Sequence, residues 1–186
     1  MIKAVLAVDS NNGIGREGRL PWNISSEMGY FKNYTNGCLC VMGRKTYEDI
    51  KASKRKSYGD FLEGRDCLVI STEIRSLQRS NTYSRIMFCD NLEGFITVLK
   101  MSKKSDDKSL TDVCIIGGKT IYERFLSDPE LVDEISISFI HDDFECDTFF
   151  EVEDYIQGFV QTGGFEPIDK RWEAKLYHRH GELYEN

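Results

Sequence analysis

The feature that most constrains this chain is an alternation. Short apolar runs rich in β-branched residues recur at Ile2 to Val8, Cys38 to Met42, Cys67 to Ile70, Ile86 to Cys89 and Val113 to Ile116. Runs of this kind, with Lys3 their one charged residue, read as strands buried on both faces. Between them, stretches of helical period occupy Ile24 to Thr35, Thr46 to Ala52, Leu92 to Met101 and Thr120 to Leu126. Strands that alternate with amphipathic helices call for a mostly parallel sheet with helices on both faces, a three-layer α/β/α arrangement. The last third changes character. Glu134 to Ile140, Tyr155 to Thr162 and Trp172 to Arg179 alternate apolar and polar residues more cleanly and lack long helices between them. They are expected to form an antiparallel C-terminal edge.

The length of 186 residues suits one domain, large enough to bury roughly 70% of its unfolded surface. Ile2 to Val8 is too short for the apolar core of a signal peptide, and no run can span a bilayer, so a cytoplasmic protein without membrane contact is expected. A formal net charge of −7 argues against nucleic-acid binding, which needs basic surface to neutralise phosphates. The six cysteines lie mostly within apolar runs, with no Cys-x-x-Cys spacing, and read as reduced core residues. Ser53 to Asp60 and Ser102 to Asp112 have the composition of surface loops.

Chemistry is first to be sought at Glu27, which helical spacing aligns with Ile24, Phe31 and Tyr34. A carboxylate on an apolar stripe must be paired, hydrogen-bonded or protonated. The competing reading is a surface acid favoured by the helix dipole in a first turn capped by Ser25 or Ser26. Gly13-Ile14-Gly15-Arg16-Glu17-Gly18 matches the G-x-G-x-x-G fingerprint, but Arg19-Leu20-Pro21 follows where that fingerprint needs a helix, so a flexible loop is expected instead. Better anion sites are two strand-to-helix turns, Gly117-Gly118 and Gly43-Arg44-Lys45-Thr46, at the carboxyl ends of two strands. His178-x-His180 lacks a third metal ligand and reads as a solvent-facing strand, and no metal site is expected.

Taken in order, several motifs resemble dihydrofolate reductase over nearly the whole chain. They are Leu-Ala-Val-Asp at 6 to 9, Gly-Ile-Gly at 13 to 15, Leu-Pro-Trp-Asn at 20 to 23, Glu27 with Phe31-Lys32, and Met-Gly-Arg-Lys-Thr at 42 to 46. Glu-Gly-Arg at 63 to 65, Ile-Ile-Gly-Gly at 115 to 118, Ile-Tyr-Glu at 121 to 123 and Asp-Thr-Phe-Phe at 147 to 150 continue the series. The resemblance implies an eight-stranded sheet in a single domain, 1–186, with an adenosine-binding subdomain roughly at 38–112. It also implies NADPH-dependent reduction of 7,8-dihydrofolate to tetrahydrofolate, binding of antifolates, and a monomer. A related reductase of the riboflavin pathway, or a non-catalytic nucleotide-binding subunit, are the alternatives.

By the same resemblance, Glu27 anchors the pterin, Trp22 holds water beside it and Ser138 supplies a neighbouring hydroxyl. Val5, Leu20, Phe31, Lys32, Leu62, Ile116 and Tyr122 line the substrate site, with Arg65 gripping the substrate's α-carboxylate. The cofactor side takes Ala4, Ile14, Gly15, Gly43, Arg44, Lys45, Thr46, Ser71, Thr72, Gly117, Gly118, Lys119, Thr120 and Ile121, with Arg44 and Thr72 around the adenosine 2′-phosphate. Three departures from the family pattern stand out: Ser25-Ser26 where proline is frequent, Lys119 where many members have a third glycine, and Cys146 where glycine is common. Lys119 is expected either to narrow the pyrophosphate turn or to add a cation.

Overall fold

The computed structural model describes residues 1–52, 65–105 and 111–180. Among them one eight-stranded sheet carries the fold. In chain order its strands are β1 (Ile2–Val8), β3 (Leu39–Gly43), β4 (Cys67–Ile70), β5 (Ile86–Cys89), β6 (Val113–Gly117), β7 (Glu134–Ile140), β9 (Phe159–Phe165) and β10 (Trp172–Arg179). In space they run β5-β4-β3-β6-β1-β7-β10-β9. The pairs from β5 through to β7 are parallel, and β7-β10 and β10-β9 are antiparallel. The expected mostly parallel sheet with an antiparallel C-terminal edge is thus the observed one.

The β-branched runs account for the parallel half, because these strands are covered on both faces and Ala4, Val8, Cys40, Val41, Cys67, Val69, Cys114 and Ile115 lose all contact with solvent. Helices α1 (Ser25–Tyr34), α2 (Arg44–Ala52), α3 (Ile74–Ser80), α4 (Leu92–Lys103) and α5 (Lys119–Leu126) supply the crossovers and the cover. Three apolar cores result among the described residues. One packs Phe125, Ile115, Ile135 and Ile137 between α5 and the sheet, a second packs Met42, Tyr47, Val69 and Ile116 under α2, and a smaller third gathers Trp22, Ile24, Ile140 and Trp172.

Three expectations are corrected. Tyr155 to Thr162 is not one strand. A short helix, α6 (Val152–Tyr155), ends near Gly158, whose φ of 86° is a left-handed conformation, and β9 starts only at Phe159. Residues 102–105 finish α4 and its turn, and Asp112 is tied to the N-terminal amino group and to Lys3 at 2.9 and 3.1 Å, so only part of Ser102 to Asp112 is loop; 106–110 lie outside the described residues, as does Ser53 to Asp60. His178 is not simply solvent-facing, since it pairs with the buried Glu134 at 2.8 Å. Helix α3 and a two-stranded ribbon of β2 (Gly13–Gly15) with β8 (Thr148–Phe149) carry too weak a pattern to be foreseen.

Candidate active site

A cleft of about 840 Å³ opens along the carboxyl ends of the parallel strands, where an open α/β sheet offers its strand-to-helix turns. At one end lies the first turn of α1. Glu27 is 5% exposed, so it is a buried wall of the cleft and not a surface acid; the serines do not cap the helix, whose N-cap is Ile24 with no side-chain bond. Ser26 instead accepts from Trp172 Nε1 at 2.9 Å and donates to Asp169 at 3.0 Å. Burial pushes the Glu27 carboxyl from 4.5 up to about 7, with the Ser138 hydroxyl pulling the other way. Ser138 Oγ is itself buried and, among the described residues, finds no partner of ordinary hydrogen-bond geometry, so it stands near Glu27 without fully satisfying it. Among the described residues Glu27 is the buried charged side chain on the cleft wall.

Val5, Leu20, Phe31, Ile116 and Tyr122 surround this end of the cleft. Tyr122 donates to the Val5 carbonyl at 2.8 Å, which fixes its ring against the backbone of β1. Trp22 is 1% exposed and lies behind the wall, edge-on to Phe144. Arg65 Nη2 donates to the Lys32 carbonyl at 2.7 Å, which brings both residues to the C-terminal end of α1, beyond the cleft lining. Leu62 lies outside the described residues. Sequence reasoning missed Met28 and Ile50, which complete the apolar wall, and Asp49, whose carboxylate accepts from Leu20 N at 3.3 Å.

The other end is built from the two predicted turns. Gly43, Arg44, Lys45 and Thr46 open α2, and Gly118, Lys119, Thr120 and Ile121 open α5; all line the cleft, with Ser71 and Thr72 beyond β4 and Ile14 and Gly15 opposite. Neither helix has an acidic residue in its first turn, so both starts favour an anion. The turns meet closely: a Cβ on Gly43 would come within 3.3 Å of Ile121, and one on Gly118 within 3.3 Å of Thr46 Oγ1. Gly117 has φ 107° and lies behind the surface, where a Cβ would stand 2.9 Å from the Tyr122 ring; its peptide bond to Gly118 is cis. Lys119 does not narrow the turn, because its side chain extends along α5 toward Glu123 at 3.7 Å. Arg44 is held by Glu48 and Glu73 at 3.2 and 3.6 Å. Ala4 is fully buried in the core beneath.

The expected loop after β1 holds no helix before α1 and is clasped by the loop after β7. Asp9 accepts from Gly13 N at 2.7 Å, Asn11 N at 2.9 Å and Phe144 N at 3.2 Å. Burial alone would raise its carboxyl, but these three amides bring it below the ordinary value. Asp147 accepts from Glu17 N at 2.7 Å and returns its own N–H to the Gly15 carbonyl at 3.1 Å. Both aspartates were missed as structural determinants, since each reaches a backbone amide distant in sequence, Asp9 that of Phe144 and Asp147 that of Glu17.

Comparison with known proteins then decides the family. The family described as dihydrofolate reductase matches residues 1–165. The chain belongs to the dihydrofolate reductase family. It is 35% identical over 153 residues to the Drosophila melanogaster dihydrofolate reductase, covering 78% of this chain and 76% of that one. It is 27% identical over 164 residues to the Escherichia coli dihydrofolate reductase type 8, covering 87% of each. The Enterococcus faecalis dihydrofolate reductase, solved in complex with NADP(H) and RAB-propyl, shares the fold with a TM-score of 0.69 at 22% identity over 97% of this chain and 96% of that one. As a dihydrofolate reductase it is an NADPH-dependent oxidoreductase acting on dihydrofolate, and the riboflavin-pathway alternative falls away.

Proposed function

We propose that Glu27 is the pterin anchor and local proton reserve for NADPH-dependent conversion of 7,8-dihydrofolate to 5,6,7,8-tetrahydrofolate, serving one-carbon metabolism. The observation that carries this reading is a buried carboxyl on the wall of the cleft, held near pH 7 by burial. The residues of the turn-built end suit the dinucleotide: two helix starts free of acid for its pyrophosphate, and Arg44 with Thr72 for the 2′-phosphate. When bound there, the cofactor supplies the hydride that the pterin carbon 6 receives.

The chain's own residues do the rest. Reduction takes up one proton per hydride, and a carboxyl with a pKa near the working pH can hold that proton and release it. Once charged, the same carboxylate accepts hydrogen bonds from the pterin amino group and ring nitrogen, which orients the ring face. Phe31, Ile50 and Met28 exclude water from that end, so few fixed partners govern the charge. Arg65, tied to the α1 end, offers a guanidinium to the substrate's α-carboxylate. Antifolates with a pterin-like ring compete for Glu27.

The protein acts as a monomer in the cytoplasm, a setting that suits its six free thiols. No helix among the described residues is long and apolar enough to cross a membrane. The decisive experiment follows NADPH oxidation with and without dihydrofolate. Oxidation that depends on dihydrofolate is expected. NADPH binding without any such dependence would overturn the assignment.

A further inference from the structure

Helix α1 is joined to β7 by more than apolar packing. Residues 27, 30 and 34 share one face of the helix, and 138, 136 and 134 share one face of the strand. The Tyr30 hydroxyl meets Ser136 Oγ at 2.7 Å, and the Tyr34 hydroxyl donates to Glu134 Oε1 at 2.5 Å. Glu134 Oε2 in turn faces His178 Nε2 at 2.8 Å, and His178 Nδ1 meets Thr162 at 2.6 Å. Glu134, Ser136 and Ser138 are 8%, 0% and 1% exposed. A helix-on-sheet contact is ordinarily apolar, and three buried polar rungs in register are costly unless each is matched.

The rung at Glu27 is the poorly matched one, since Ser138 lacks a well-formed bond. What fixes the carboxyl must therefore come from its neighbours along α1. Ser26 pins the first turn to Trp172, and the Tyr30-Ser136 bond pins the next. Two pins on either side of one residue set both the height and the rotation of the helix there. Tyr30 is also packed against Phe165 and Trp172, at 5.7 and 5.4 Å between rings, so its hydroxyl has little freedom to leave Ser136.

We propose that Tyr30, through its hydrogen bond to Ser136, is a positioning residue that holds Glu27 at its buried depth in the cleft. The proposal rests on the role given to Glu27 above. Other charged groups around the ladder are Lys3 on β1, 5.7 Å from the Tyr34 ring and paired to Asp112, and His178 on β10. The thiols of Cys38 and Cys114 lie near that same far end, while Arg19 and Asp49 share the cleft with Glu27.

The test removes the bond from either side, in Tyr30→Phe and in Ser136→Ala, and then in the double variant. If Tyr30 positions Glu27, each single change lets water reach the carboxyl. The pH midpoint of kcat/KM for dihydrofolate then falls by about half a pH unit, and KM for dihydrofolate rises about 3- to 10-fold, the loss of one ordinary hydrogen bond. Affinity for NADPH, read by fluorescence titration, stays unchanged, and the double variant is no worse than the worse single. Lowered melting temperature with an unmoved pH midpoint and unmoved KM would overturn the proposal and leave Tyr30 a purely structural residue. That outcome is distinct from failure of the Glu27 role itself, which Glu27→Gln with wild-type turnover would reveal. Should Tyr30→Phe fail to fold, Ser136→Ala alone decides.

Discussion

Replacing Glu27 by Gln offers the sharpest test, because the same change has calculable effects on stability and on turnover. In the folded chain the carboxyl is raised from 4.5 to about 7 by burial. A carboxyl whose folded pKa is raised holds its proton more tightly when folded. The stability it contributes is fully present below about pH 4.5 and is lost as pH rises through about 7. At about 1.4 kcal/mol per pH unit, a rise from 4.5 to about 7 makes the whole loss about 3–4 kcal/mol, most of it between pH 5 and pH 8.5. Glutamine does not titrate, and every other group is shared, so the difference in unfolding free energy between wild type and variant isolates this one proton. Equilibrium urea unfolding of the ligand-free proteins measures it. With a slope of about 2 kcal/mol per molar urea, the gap between their midpoints should shift by about 1 M across that range, in favour of the variant at high pH. Turnover should fall about 100-fold or more at neutral pH, with residual activity rising as pH is lowered and substrate arrives protonated. Midpoints that run parallel from pH 5 to pH 8.5 would refute the buried, titrating carboxyl.

Arg44→Ala should weaken NADPH binding about 10-fold while leaving NADH nearly unchanged, measured by competitive titration, because only NADPH carries the 2′-phosphate. Gly117→Ala should cost about 2–3 kcal/mol in urea unfolding, since a Cβ at φ 107° and 2.9 Å from Tyr122 forces both backbone and ring to move. Arg65→Leu should raise KM for dihydrofolate about 10- to 100-fold with a smaller change in kcat, as expected for a group far from the reacting atoms.

How much of this was legible depended on where each interaction lies in the chain. Val113 to Ile116 and Cys38 to Met42 announced themselves because strands buried on both faces leave an unbroken apolar run. Helix α3 did not, since only Leu77 of its residues is buried, and a single apolar anchor makes no period. Tyr155 to Thr162 misled because its alternation straddles a helix end that Gly158 marks only through its backbone angle. The glycines and cations of the two turns were readable as local motifs. Glu27 was readable as an anomaly on a stripe, yet its burial was not, because the Ser138 hydroxyl comes from more than a hundred positions away and Val5, Ile50 and Ile116 come from other strands and helices. The same distance hid Tyr30 with Ser136 and Tyr34 with Glu134, separated by 106 and 100 residues.

Asp9 carries one more implication. Its carboxylate fastens the segment after β1 and the segment after β7 with one pair of oxygens, across 135 positions of sequence to Phe144. Neither segment is therefore a module that can be exchanged alone. A chimera that imports the first loop from a relative without its second would leave the aspartate aimed at amides shaped for another neighbour. Where relatives differ at both, the two stretches are expected to have changed as a matched set.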